Sequence, residues 1–208
     1  MNEMTILNED QQYELMKKQA GAFFRSGMFA ELKRHEQAVV KVMIGKEMGA
    51  GPFASLRGIY ISQSGSIELK ASLISAIIAN NPRYSYHMKT STKEACEIDF
   101  YDSEYGSEPV GTSSFTIDEA RQAGLLNKDP KYNPWVKYTT DMLFNRALSR
   151  GARRFCPGAF AGVPVYVSGE TESLSLPPKE APVIFTDISD EAIIEEFKQT
   201  NVINEEFR

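Results

Sequence analysis

The apolar positions of this chain recur with two different periods, and the change of period divides it. From about Phe29 to Met48, Leu32, Val39, Val40, Met43 and Ile44 return near helical spacing, which predicts a helix. An opening helical stretch precedes it, with breaks expected near Gly21 and Gly27. Gly49-Ala50-Gly51-Pro52 ends the second helix, because glycine and proline cannot extend it cheaply. Arg57–Ser62 (RGIYIS) and Ser66–Leu69 (SIEL) are short β-like runs around Gln63-Ser64-Gly65, a hairpin signal. Lys70 to Ala79 then predicts a helix stopped by Asn80-Asn81-Pro82.

A period of two takes over in the middle of the chain. Arg83–Thr90 sets Tyr84, Tyr86 and Met88 against Ser85, His87 and Lys89. Glu94–Tyr101 sets Cys96, Ile98 and Phe100 against Ala95, Glu97, Asp99 and Tyr101, so the first three face the core. Pro109–Phe115 is a third strand-like run, and Thr116 with Glu119 three positions on reads as a capping box opening a helix. After a polar loop from Lys128 to Asn133, Pro134 suits a first helical position, and one long helix is expected from there to about Phe155, before Pro157-Gly158. These elements predict an α+β fold: an antiparallel sheet of short strands backed by a long helix, with helices at the N-terminus. Residues 1–169 form one domain on this reading, with N-terminal helices at 1–48 and a β-rich core with the long helix at 49–169. Residues 170–208 are an acidic linker followed by a short amphipathic segment, Asp190 to Lys198, with Ile193, Ile194 and Phe197 on one side.

Charge sharpens this division. The net charge is −5, yet residues 170–208 hold ten acids against Lys179, Lys198 and Arg208, a net −7 that leaves +2 on the rest. The window 121–154 alone is +6. A basic body with an acidic tail points to a polyanionic partner. No apolar run approaches the roughly 20 residues of a membrane span, and the acidic, polar N-terminus lacks the pattern of an export signal. Cys96 and Cys156, sixty positions apart, read as reduced thiols, and His35 and His87 have no metal-ligand spacing. A cytoplasmic setting is therefore expected.

The candidate chemistry lies on the long helix. At about 100° per residue, Trp135, Tyr138, Met142, Arg146, Arg150 and Arg153 fall within roughly a third of its circumference, with Phe144, Leu148 and Ala152 opposite. Guanidinium groups on phosphates and aromatic faces under bases are the means of holding single strands; the same spacing also suits a core aromatic pair beside a merely solvated basic face. Lys128, Lys131, Lys137 and Arg154 add charge around this stripe. Glu97 and Asp99, two apart on a strand, project to one side and could share an Mg2+ ion, as in a metal-dependent nuclease, or form a solvent-facing pair balanced by lysine or arginine. Gly45-Lys46 lacks the remainder of a P-loop, and neither a Gly-x-Ser-x-Gly nor a His-Glu-x-x-His motif occurs. No ATPase or covalent catalyst is expected.

Several short motifs, taken in order, resemble those of the RecT family of phage single-strand annealing recombinases. They are Gly45-Lys46-Glu47-Met48-Gly49, Ala54-Ser55-Leu56-Arg57-Gly58-Ile59-Tyr60, Phe115-Thr116-x-x-x-Ala120, and Trp135-x-x-Tyr138-x-x-x-Met142-x-x-x-Arg146-Ala147 continuing through Arg153-Arg154 to Pro157. The similarity spans about 35–167. Thr139 stands where family members commonly carry proline, and Gly158 where an acid is usual. The resemblance implies DNA recombination and repair by ATP-independent annealing in the cytoplasm of a bacterial host. It implies a ring or filament of identical protomers, single-stranded DNA and annealed duplex as ligands, and a core similar to that of Rad-type annealing proteins. Arg146, Arg153 and Arg154 become phosphate contacts by this resemblance; Lys137 and Arg150 are added on charge alone. The acidic tail is expected to lie away from bound DNA, to compete with it, or to recruit a partner exonuclease or host single-strand binding protein; a purely solubilising role fits its composition equally well.

Overall fold

Helix α1 (Glu9–Arg25) starts at a reciprocal cap in which Asn8 Oδ1 accepts from the Gln11 N–H and Gln11 Oε1 accepts from the Asn8 N–H. The computed structural model describes residues 8–61, 65–127, 129–167 and 170, all within the unit Met1–Leu174. The amphipathic segment expected at 190–198 lies outside the described residues, as do Lys128 and the turn residues Gln63 and Ser64.

Gly21 does not break α1, contrary to expectation. It is buried inside the helix, and a β-carbon there would stand 3.1 Å from His35 Nε2, so the glycine serves close approach of the next helix. The chain turns instead at Gly27, whose φ of +69° is one glycine adopts without strain. The second helix, α2 (His35–Glu47), begins six residues later than its apolar spacing suggests. Phe29 and Leu32 ahead of it are buried in a non-helical turn, where Phe29 meets Phe23 and Phe53 edge-on. A short helix, α3 (Pro52–Gly58), occupies part of the segment read as strand. Pro52 opens it, and buried Ser55 and Leu56 fix it against α2.

The β-ribbon shrinks accordingly to β1 (Ile59–Ile61) and β2 (Ile67–Leu69), antiparallel with Ile59 opposite Leu69. Helix α4 (Ala71–Asn80) follows and buries Leu73, Ile74, Ile77 and Ile78. The main sheet is β3 (Tyr84–Ser91), β4 (Ala95–Asp102) and β5 (Gly111–Thr116), antiparallel in the order β3-β4-β5. Its parity is as the sequence predicts: Cys96, Ile98 and Phe100 are fully buried. A bulge between Met88 and Thr90 interrupts the register of β3, which frees Met88 and Lys89 from the alternation. Arg83 closes the sheet's far end, donating from Nε and Nη2 to the two carboxylate oxygens of Asp102 at 2.8 Å each. That pairing holds the Asp102 carboxyl below the usual carboxylate range.

Thr116 caps helix α5 (Ile117–Gln122), accepting from the Glu119 N–H at 3.2 Å while its own N–H donates to Glu119 Oε2 at 2.9 Å. Replacing Thr116 with alanine removes one arm of this box and should lower stability by about 1 kcal/mol, read as a shift in urea midpoint without a change in slope.

The expected helix from Pro134 to Phe155 is two helices. Helix α6 (Pro134–Lys137) is one turn capped by Asn133, the backbone leaves helical geometry at Tyr138 (φ −129°, ψ 48°), and α7 (Thr139–Phe155) starts anew. Buried positions of α7, among them Leu143, Arg146, Leu148, Ser149 and Gly151, run right round its circumference. It is therefore an interior helix, with β4 and β5 against it, α4 beside it, and Val165 close enough for its carbonyl to accept from Arg153. Among the described residues no helix is long and apolar enough to cross a membrane.

Candidate nucleic-acid interface

Because α7 is interior, the arginines expected to form a solvent-facing stripe are engaged within the chain. Arg146 is buried, with Nη1 3.2 Å from Glu170 Oε1 and its guanidinium 5.9 Å from the Trp135 ring centre. Arg150 Nη1 donates to Glu119 Oε1 and to the Ser114 carbonyl, both at 2.8 Å, and lies 4.8 Å from the centre of the Phe115 ring. Arg153 Nη1 donates to Glu170 Oε2 at 2.8 Å and to the Val165 carbonyl at 2.5 Å, over Tyr166 at 4.5 Å. Burial pulls the Arg153 guanidinium below its ordinary value, though arginine remains charged. Burial also pushes the Glu119 carboxyl up, but its hydrogen bonds from Arg150 and the Thr116 backbone outweigh this and hold it low. The three arginines of that stripe thus meet Glu119 and Glu170 within the chain. Arg154 is exposed.

The break at Tyr138 also separates the two aromatics. Trp135 is 5% exposed, packed against Phe115 with ring centres 5.9 Å apart, and has no face open for a base. Tyr138 is 61% exposed. Its backbone is pinned on both sides: its N–H donates to the Pro134 carbonyl, its carbonyl accepts from the Met142 N–H, and the Thr139 hydroxyl bonds the Trp135 carbonyl at 2.8 Å. The junction is rigid while the Tyr138 ring stays in solvent.

Beside that junction is a cleft of about 450 Å³ lined by Lys93, Val136, Lys137, Tyr138, Thr139, Thr140 and Asp141. Lys93 comes from the β3–β4 turn, where Thr92 Oγ1 accepts from the Glu94 and Ala95 N–H groups and fixes the loop. Helix α7 has no side-chain cap, so its first-turn N–H groups add positive potential at this cleft. Lys131 and Tyr132 lie nearby in sequence, both exposed, with the ammonium 5.3 Å from the ring centre. Lys93 and Tyr132 were not among the expected contacts. A single lysine in a polar turn carries no signal, and only the fold brings it to the helix junction.

Glu97 and Asp99 are half-buried on the sheet face opposite the core, as their parity predicts. Asp99 stands across from His87 and Thr112, and the Thr112 hydroxyl donates to Asp99 Oδ1; Glu97 stands across from Thr90 and Ser114. Among the described residues no group of three or more His, Cys, Asp or Glu is placed to hold a metal ion. Burial pushes the Cys96 thiol up to about 11 and the Cys156 thiol up to about 12, which makes both poor nucleophiles.

Fold and site together define an α+β protein with a helix-backed, three-stranded antiparallel sheet and a cationic, aromatic-edged cleft at one end of that sheet. No protein-family model matches the chain, and no curated protein matches it in sequence.

Proposed function

We propose that this protein binds single-stranded DNA and anneals complementary strands without covalent chemistry or ATP, working as an oligomer. The observation that carries the reading is the cleft in which Lys93, Lys137 and the open ring of Tyr138 converge. Two ammonium groups suit backbone phosphates, and an exposed tyrosine offers a stacking face that is indifferent to base identity. Asp141 leaves the lining at net +1, enough to attract a strand without trapping it. The motif resemblance to annealing recombinases supports the same assignment, with one change. The first contacts move from the buried face of α7 to the cleft, and extend to Lys131, Tyr132 and Arg154.

In this mechanism the cleft neutralises a short run of backbone and keeps the bases unpaired. Copies of the chain side by side extend the run, and a second strand tests pairing against it; base pairing alone supplies specificity. Lys93→Ala with Lys137→Ala should weaken oligonucleotide binding for every sequence tested. The slope of log K against log salt should become shallower by about 1.4, roughly 0.7 per lost single-strand contact. Fluorescence anisotropy with labelled oligo-dT at several salt concentrations reads both quantities. Unchanged affinity and slope in the double variant would remove the cleft from the interface.

A further inference from the structure

A lysine is rarely buried without an anionic partner, and α2 carries one that is. Lys41 is 6% exposed, and among the described residues no group lies within hydrogen-bond or ion-pair distance of its Nζ. Its place on the helix shows where the amine is held. Ala38, Lys41 and Gly45 share one buried stripe of α2. Gly45 lies hard against α3, where a β-carbon would stand 1.7 Å from Ser55 Oγ. Lys41 is one turn back from Gly45, Gly58 is one turn on from Ser55, and β1 beyond Gly58 also touches α2. The two segments therefore run in opposite directions, and Lys41 stands across from the end of α3. There the Gly58 carbonyl accepts from the Lys70 N–H at 2.8 Å, and a β-carbon on Gly58 would lie 2.6 Å from Leu73 Cδ2. The start of α4 is thereby brought beside Lys41.

The electrostatics agree with this placement. Burial holds the Lys41 ammonium below its ordinary value; attraction to Glu31 opposes that, and repulsion from Lys70 adds to it. Helix α4, ten residues long, begins at Lys70 without a side-chain cap. The Lys70 carbonyl accepts from the Leu73 and Ile74 N–H groups at 2.9 and 3.1 Å, whereas the Ala71 and Ser72 N–H groups have no acceptor among the described residues. Such first-turn donors carry partial positive charge.

We propose that Lys41, Lys70 and the first-turn amides of α4 form a binding site for one phosphate group. Where that phosphate is taken to belong to a DNA strand, the inference rests on the nucleic-acid reading above; the site itself does not. Lys70 and Ser72 are exposed and Ala71 is half-buried, so an anion can approach from solvent while Lys41 meets it from beneath. A phosphate oxygen gives the buried ammonium the charge-assisted acceptor that the chain does not supply. The remaining oxygens suit the two amides and Lys70. Glu31 opposes binding, and with all three side chains charged the balance is one positive charge.

The test uses the full chain, with Lys41→Met, which keeps the length of the stem and deletes the charge, and Lys70→Ala at the exposed position. Inorganic phosphate, titrated to about twenty times its dissociation constant against chloride of equal ionic strength, should raise the melting temperature of wild type by about 4 °C or more. Lys70→Ala should respond less and Lys41→Met least. Phosphate also stabilises proteins by exclusion from their surfaces, an effect common to all three, so equal rises overturn the inference. In wild type, phosphate should slow hydrogen exchange of the Ala71 and Ser72 amides, a measurement that holds even if Lys41→Met does not fold; unchanged exchange there also overturns it. If Lys41→Met loses affinity for oligo-dT and its salt slope becomes shallower by about 0.7, the phosphate belongs to a strand. If oligo-dT binding is unchanged while the phosphate response is lost, the site takes free phosphate. Should wild type respond to phosphate and bind no oligonucleotide, the site stands and the nucleic-acid reading falls. Should oligonucleotide binding depend on Lys93 and Lys137 while all three proteins respond alike to phosphate, the reading stands and the site falls.

Discussion

Alanine at Trp135 should unfold the protein more readily while alanine at Tyr138, three residues on, leaves stability within about 0.5 kcal/mol and weakens DNA binding. The two side chains look equivalent in sequence and differ in almost every physical respect. Trp135 fills the space between Phe115 and the Arg146 guanidinium and is 5% exposed. Truncating a buried tryptophan removes its transfer free energy and leaves a cavity, a loss of about 3–5 kcal/mol. The Tyr138 ring is 61% exposed and edges the cleft. If it stacks on a base, its removal should cost about 1–3 kcal/mol of binding, a five- to 150-fold drop in affinity for oligo-dT. Urea denaturation followed by circular dichroism gives the first quantity, and anisotropy gives the second. Equal stability losses in both variants would contradict the break between α6 and α7. A Tyr138 variant with wild-type affinity would deny the ring its stacking role.

Gly151→Ala should destabilise the protein by about 2 kcal/mol, although the same change at an exposed helical site is stabilising. Helix propensity favours alanine over glycine by about 1 kcal/mol. Gly151, however, faces the sheet at close quarters: a β-carbon there would stand 2.0 Å from Phe100 Cε2. Phe100 is fully buried and tilted against Tyr86 and Phe155 with ring centres 6.1 and 5.7 Å away, so it cannot swing aside. Overpacking of this kind costs about 1–3 kcal/mol and sometimes more, which exceeds the propensity gain. Combining Gly151→Ala with Phe100→Leu should give less than the sum of the single losses, because the smaller side chain makes room for the new methyl. A stabilised Gly151→Ala protein would mean that helix and sheet stand further apart than described.

The acidic partners bear on pH as well. The Arg83 contact holds Asp102 below the ordinary carboxylate range. At Glu119 burial is the largest single influence and pushes the carboxyl up, but the hydrogen bonds from Arg150 and Thr116 together outweigh it and hold this group low as well. A depressed carboxyl contributes stability that is complete above its unfolded value and is lost as the pH falls through its folded value. The Arg83 and Arg150 contacts therefore persist at neutral pH, and each weakens in acid as its carboxylate is protonated.

Much of the local structure was legible because it is written in short-range terms. Alternation over Glu94–Tyr101 placed Cys96, Ile98 and Phe100 inside, Thr116 and Glu119 announced a capping box, and Pro134 marked a helix start; in each case one or two turns or a few strand residues contain the whole cause. Other features were not. Gly21 reads as a breaker until a neighbouring helix needs the space above it. Helix α3, seven residues long, follows from the burial of Ser55 and Leu56 against α2 more than from propensity, while the β-branched residues after it pull the reading toward strand. The break between α6 and α7 was not expected, because the angle of the Tyr138 backbone is held by contacts with Pro134, Trp135 and Met142.

The sequence by itself determined the α+β class, the order of most elements, the parity of the central strand and the basic content of the region before Arg154. Only the tertiary structure decided which of those charges face water. Arg150 meets a carboxylate 31 positions away and Arg153 one 17 positions away, whereas Lys93, unremarkable in its turn, arrives beside Lys137. Periodicity records the direction in which a side chain leaves its own backbone. Whether its charge is matched depends on what the rest of the chain brings to that place.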